Sequence, residues 1–278
     1  YQKRAYAKAE EFCNLLSSRV KGGGFMSTLI LKRIGSTIIA GERTAKTIMA
    51  WTEEGKEILQ EEFSMLFDED DEYEGDSSEV KNLSKGEIES LRQLISLLSL
   101  NRDNDPKYIK VKEILTAGTK EDSRPWKDSG CIIFSQYFDS AFSVAENLSK
   151  DLKDDVIGLY AGGDKSGYFL NGQFYKESKD GIKAKVKNYE IRILVGTDAA
   201  SEGLNLQALS TLINLDLPWN PTRLEQRKGR IQRIGQLAET IKIFNMRYKD
   251  SVEDRVHMVL SERLRNIKEI GRASCRER

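Results

Sequence analysis

From Cys131 onward, short runs of branched apolar residues alternate with stretches of helical period. That alternation restricts the possible fold more than any other feature. The runs lie at 131–134, 156–160, 191–195, 211–215 and 241–245, and helical segments separate them at 139–152, 178–189 and 222–234. Near-continuous apolar strands suit a sheet buried on both faces. Strand and helix in alternation predict an α/β fold, a parallel sheet with helices on both sides.

The first 120 residues follow a different pattern. Ala5, Ala9, Phe12, Leu15, Leu16 and Val20 recur at helical spacing, and Gly22, Gly23 and Gly24 stop that helix. A second, longer helical pattern covers 25–63 through Leu29, Ile34, Ile38, Ala45, Ile48 and Leu59, with Gly35, Gly41 and Gly55 as points where it can kink. DEDDEYEGDSS at 68–78 is too charged to bury and reads as a solvated linker. Ser84-x-x-Glu87 is a capping box before the apolar run 88–100, and Pro106 can open a further helix through Leu115. Ser251-x-x-Asp254 caps a last helix carrying Val252, Val256, Val259, Leu260, Leu264 and Ile267, expected to pack back on the preceding regions. The expected division is a helical insert or brace at 1–120, the sheet-bearing lobe at 121–250, and a C-terminal helix and tail at 251–278. The opening at Tyr1 without Met suggests excision from a longer protein, and 273–278 reads as a frayed or added tail.

Composition removes several function classes. Lys and Arg total 44 and Asp and Glu total 44, so the net charge is zero and a uniformly basic nucleic-acid coat is excluded. A local basic groove remains open, and 223–233 concentrates five basic residues against one acidic one. Three cysteines and one histidine, without a C-x-x-C pair, argue against a zinc site. Sparse, odd cysteines suit a reducing cytoplasm. No apolar run approaches bilayer length and no signal pattern opens the chain, so no membrane partner is expected.

In open α/β sheets ligands meet the loops at the carboxyl ends of strands. Four such places stand out. Ser135-Gln136-Tyr137 follows the first run and offers a hydroxyl, an amide and backbone N–H groups, all suited to phosphate oxygens. Tyr160-Ala161-Gly162-Gly163 follows the second. VGTDAASEGLNLQ (195–207) follows the third, and Gly203 there permits close backbone approach. After the fourth, QRKGRIQRIGQ (226–236) sets Arg230 and Arg233 three apart, one above the other on a helix. Two guanidiniums in that arrangement, always charged and able to bond bidentately, suit a developing phosphate charge. Two look-alikes fail. In Gly158-x-x-x-x-Gly163-Asp164-Lys165-Ser166 an aspartate stands where a phosphate loop needs lysine. Met65-Leu66-Phe67-Asp68-Glu69 resembles a magnesium-holding strand end but follows a helical, Glu-rich stretch.

Taken together, SEGLNLQ, Asp216-Leu217-Pro218-Trp219-Asn220-Pro221, Leu224-Glu225-Gln226-Arg227 and Arg233-Ile234-Gly235-Gln236 resemble the second RecA-like lobe of superfamily 2 helicases and translocases. The resemblance is to the Swi/Snf-type branch and its bacterial RapA-like members. It covers 131–244, with a weaker match at Leu31-Lys32-Arg33-Ile34-Gly35-Ser36 to a segment in helical inserts of such proteins. It implies that Arg230 and Arg233 are arginine fingers for ATP, with Gln226 ordering their motif. It places Gly203 and Asn205 near the nucleotide. Asn205 stands where many relatives carry an acidic residue for the ribose. It assigns Ser135, Gln136, Gly162, Thr197, Trp219 and Asn220 to the nucleic-acid backbone, and Trp219 and Asn220 can equally prop the arginine motif. By charge pattern, Arg227 and Lys228 are expected at the surface or facing DNA, and His257 is expected to be structural.

The sequence lacks G-x-x-x-x-G-K-[ST] and a strand-borne Asp-Glu. ATP and Mg2+ are therefore expected to sit mainly on a first RecA-like lobe, N-terminal to Tyr1 or on another chain. The implied function is the second motor lobe of a DNA-stimulated ATPase that moves along duplex DNA and is inactive alone. Two alternatives stand: a lobe of a strand-separating RNA or DNA helicase, and a non-enzymatic module binding nucleic acid or RNA polymerase.

Overall fold

The computed structural model describes residues 2–19, 23–53, 82–198, 206–218, 220–232, 238–249 and positions 251, 254 and 258. Gly203, Asn205, Trp219, Arg233, His257, residues 54–81 and most of the expected final helix and tail lie outside them. Among the described residues no helix is long and apolar enough to cross a membrane.

Among the described residues four helices come first: α1 (Gln2–Arg19), α2 (Gly23–Ser36), α3 (Ile38–Glu53) and α4 (Lys85–Ser99). Each packs against two others, closing a core of Phe12, Leu16, Leu29, Ile30, Ile48, Trp51, Leu91 and Leu94. The expected capping box forms: Ser84 Oγ accepts from Glu87 N, and Glu87 Oε2 accepts from Ser84 N at 2.6 Å. The long helical pattern breaks once within the described residues, at Thr37. There α3 folds so close to α2 that a Cβ on Gly41 would lie 2.5 Å from Ile34 Cγ1. Only glycine leaves room for that approach.

Asp105 then caps α5 (Pro106–Ala117), with Pro106 in the first turn as the sequence predicts. α5 packs under the sheet with Val111, Ile114 and Leu115 rather than among the first four helices. Among the described residues the sheet has seven strands: β1 (Cys131–Ser135), β2 (Ile157–Tyr160), β3 (Gly167–Leu170), β4 (Gln173–Lys176), β5 (Ile193–Thr197), β6 (Thr211–Asn214) and β7 (Lys242–Asn245). Their order is β4-β3-β2-β5-β1-β6-β7. The five runs marked in the sequence form the parallel part, and β3 and β4 add an antiparallel hairpin at one edge.

The strands alternate their side chains between two cores. Ile133, Leu159, Val195 and Ile213 face α5 and α6 (Phe138–Asp151), while Ile132, Phe134, Tyr160, Leu194 and Leu212 face α7 (Lys179–Lys187) and Ile231 of α8 (Pro221–Ile231). Helices thus cover both faces, as the apolar runs require. The hairpin is the element that periodicity did not announce. It turns on Asn171 and Gly172, both at positive φ, and an Asn-Gly pair between aromatic runs is a strong local hairpin signal. Gly158 of the phosphate-loop look-alike lies inside β2 against Leu194 and Ile191, so no loop cradles an anion there.

Candidate functional site

The carboxyl ends of β5, β1 and β6 are adjacent in the sheet, and a buried polar cluster joins them. Arg227 of α8 is at its centre, 1% exposed. A guanidinium has five N–H donors, and all five are used. Nε and Nη2 bond Asp198 Oδ1 and Oδ2, each at 2.6 Å. Nη1 bonds Asn214 Oδ1 at 3.0 Å and the Asp216 carbonyl at 2.8 Å, and Nη2 also reaches Asp216 Oδ1 at 3.3 Å. Burial opposes its charge, but Asp198 and Asp216 outweigh that and raise its pKa above the ordinary value. Arg227 was expected at the surface. The structure corrects this: two carboxylates from different strand ends draw the guanidinium inside, and it has no donor left for a ligand.

Asp216 is fully buried, and its carboxylate accepts four hydrogen bonds among the described residues. Ser36 Oγ and Ser135 Oγ donate to Oδ2 at 2.6 and 2.5 Å, while Gln136 N and Arg227 Nη2 donate to Oδ1. Ser135 is itself fully buried, and its hydroxyl also accepts from Tyr137 N at 3.1 Å. For Ser135 to touch a phosphate, that hydroxyl would have to leave Asp216. Gln136 is partly exposed beside it. Thr197 ends β5 and is 5% exposed. Gly162 is partly exposed in the turn after β2, where Ser166 Oγ holds both the N–H and the carbonyl of Ala161. Asn220 is exposed and caps α8 through Thr222 N at 3.0 Å, and Gln226 is exposed on the same helix.

Arg230 lies one helical turn beyond Arg227 and differs from it in kind. It is partly exposed, yet its Nε is buried and has no hydrogen-bond acceptor among the described residues. Its carbonyl accepts from Leu206 N at 3.3 Å, tying α8 to the segment that leads into β6. One arginine is thus saturated and fixed, and the next carries an unspent donor. The sequence motif marked Arg230. The anchoring role of Asp198, Asn214, Asp216 and Ser36 went unassigned, although Asp216 directly follows the run 211–215 and Asp198 directly follows β5.

Residues 110–235 match the model of the helicase conserved C-terminal domain. Over those residues the chain is similar to helicase C-terminal domains. Its sheet is RecA-like, and the chain superposes on the C-terminal part of the Fun30 ATPase domain with a TM-score of 0.50 at 18% identity, covering 92% of this chain and 84% of that one. It superposes on the Hef helicase domain of Pyrococcus furiosus at 0.51 and 17% identity, covering 85% and 42%. In sequence the helicase domain and its flanks are 30% identical over 264 residues to the uncharacterized ATP-dependent helicase YqhH of Bacillus subtilis (strain 168), which is 84% of this chain and 44% of YqhH. A 48-residue stretch is 50% identical to the RNA polymerase-associated protein RapA of Pectobacterium carotovorum (strain PC1), 17% of this chain and 5% of RapA. The chain spans less than half the length of these curated relatives.

Proposed function

We propose that this helicase C-terminal domain is the second lobe of a DNA-stimulated ATPase that moves along duplex DNA, with Arg230 and Arg233 as its arginine fingers. The observation that carries the proposal is the buried Nε of Arg230, without an acceptor among the described residues, beside the saturated Arg227. An unsatisfied buried donor costs about 1–3 kcal/mol, which an incoming anionic acceptor would recover. The phosphates of ATP supply that acceptor once a first lobe closes on α8. That lobe holds most of the nucleotide and its magnesium, and Gly203 and Asn205 approach the nucleotide from this side. Residues 1–120 brace the lobe. Gln136, Gly162, Thr197, Trp219 and Asn220 lie along the DNA backbone, with Ser135 behind them. RNA polymerase is a candidate partner through the RapA-like stretch.

The test uses the full-length protein. Arg230→Ala should lower DNA-stimulated ATP hydrolysis by roughly 10³-fold while ATP binding stays intact, because a finger acts mainly on the transition state. Normal turnover in that variant would leave Arg230 as a basic surface residue and end the proposal. Displacement of a strand from a partial duplex would move the assignment to a strand-separating helicase.

A further inference from the structure

The elbow between α2 and α3 is attached to the helicase lobe at four consecutive residues. Lys107 Nζ donates to the Gly35 carbonyl at 2.6 Å and to the Leu215 carbonyl at 2.5 Å. Ser36 Oγ donates to Asp216 Oδ2. Thr37 Oγ1 lies 2.8 Å from Ser140 Oγ, and Ile38 N donates to Asp105 Oδ2 at 2.8 Å. Ser36, Thr37 and Ser140 are all buried.

The hydroxyl protons in this seam have one consistent arrangement. A carboxylate only accepts, so the Ser36 proton goes to Asp216. Ser140, 2.8 Å from Ser36 Oγ, must then donate to Ser36. Thr37 must in turn donate to Ser140, while its own oxygen accepts from Ala40 N at 3.2 Å. The donors run one way, from the elbow into Asp216. Of the four described groups that bond the Asp216 carboxylate, Ser36 comes from the opening helices, while Ser135, Gln136 and Arg227 belong to the lobe. Asp216 holds Arg227, and Arg227 fixes the turn of α8 that presents Arg230.

We infer that Ser36 is a positioning residue for the arginine helix. Through Asp216 it fixes Arg227 and so aims Arg230, making the helical region part of the finger's support. The inference rests on the finger assignment of Arg230 for its catalytic consequence and on geometry alone for its structural one. A helical region that shifted relative to the lobe would withdraw a donor from Asp216 and loosen α8.

The test compares Ser36→Ala, the isosteric Thr37→Val and, as a control, Thr44→Ala, a buried α3 hydroxyl that bonds Ala40 O of its own helix. In the full-length protein, Ser36→Ala should lower stimulated kcat about tenfold with the KM for ATP within about twofold, and Thr37→Val should lower it less. Thr44→Ala should leave both unchanged. Adding Ser36→Ala to Arg230→Ala should cost nothing further. In the 278-residue chain, solvent exchange of the Arg227 Nε–H, followed by NMR of labelled arginine, should quicken about tenfold in Ser36→Ala and not in Thr44→Ala. Unchanged kcat with unchanged Arg227 exchange overturns the inference. So does an equal loss in Thr44→Ala or in the Arg230→Ala background, either of which would mark general destabilisation. If Arg230→Ala itself turns over normally, the finger assignment fails, and Arg227 exchange alone decides whether Ser36 orders α8.

Discussion

Replacing Arg227 with methionine keeps an unbranched side chain in the space but removes five hydrogen bonds and the positive charge between Asp198 and Asp216. Asp216 is fully buried, so water cannot replace the lost partner there. The Asp198 side chain is 9% exposed and can be partly rehydrated. Removing one member of a buried ion pair costs about 3–5 kcal/mol, chiefly because it leaves an uncompensated charge. Arg227→Met should fall in that range, a large share of the stability of a domain held by about 5–15 kcal/mol. Arg227→Lys keeps the charge but has three donors where five are used, so a loss of about 2–3 kcal/mol is expected. The double variant Arg227→Met/Asp216→Asn should recover about 1–2 kcal/mol by neutralising the orphaned carboxylate. Urea unfolding of the 278-residue chain, followed by circular dichroism, measures all three. A loss below about 1 kcal/mol for Arg227→Met, or no recovery in the double variant, would refute the view that this guanidinium clamps the strand ends.

Glu42 is buried, and although desolvation pushes its pKa up, Arg102, Lys46 and Ser99 hold it down to about 2. Its folded pKa lies below the ordinary value, so its contribution is present above about pH 4.5 and is lost as pH falls toward 2. Between pH 6 and pH 3 wild type should lose about 1–2 kcal/mol more than Glu42→Gln, allowing for half-exposed Arg102 and Lys46; parallel urea titrations at the two pH values would contradict this. Gly41→Ala should destabilise by about 1–3 kcal/mol through collision with Ile34, while Gly86→Ala, whose Cβ would meet nothing within 4 Å, should be neutral or stabilising. A Gly41→Ala protein as stable as wild type would show that the elbow has slack. Duplex DNA binding should weaken with salt at a log–log slope of about −0.9 per phosphate contact and be nearly blind to sequence. Thr197→Val should reduce DNA stimulation more than basal ATPase, and salt-independent affinity would point to another kind of binder.

The elements of the lobe could be read from the chain because each rests on local information. Branched apolar runs make buried strands, Ser84 and Glu87 satisfy a helix start together, and Pro106 is preset for a first turn. The basic run made the helix that carries Arg230 legible for the same reason, while Arg233 lies outside the described residues. The hairpin at 167–176 is equally local, in Asn171-Gly172 between aromatics, but its strands are too short for alternation to mark them.

What one-dimensional pattern could not decide was which arginine is buried with every donor used and which keeps a donor open. Arg227 and Arg230 sit three apart in the same basic run, and charge alone puts both outside. Their difference is set by residues far along the chain: Asp198 at the end of β5, Asp216 beyond β6, and Ser36 from a helix end 180 positions before Asp216. A guanidinium is buried only where acceptors meet all its donors, and those acceptors meet only when the sheet sets its strand ends side by side. Local periodicity therefore determined the elements and the candidate finger, while the tertiary fold alone decided that Arg227 is consumed in holding the site and that the helical region takes part in holding it.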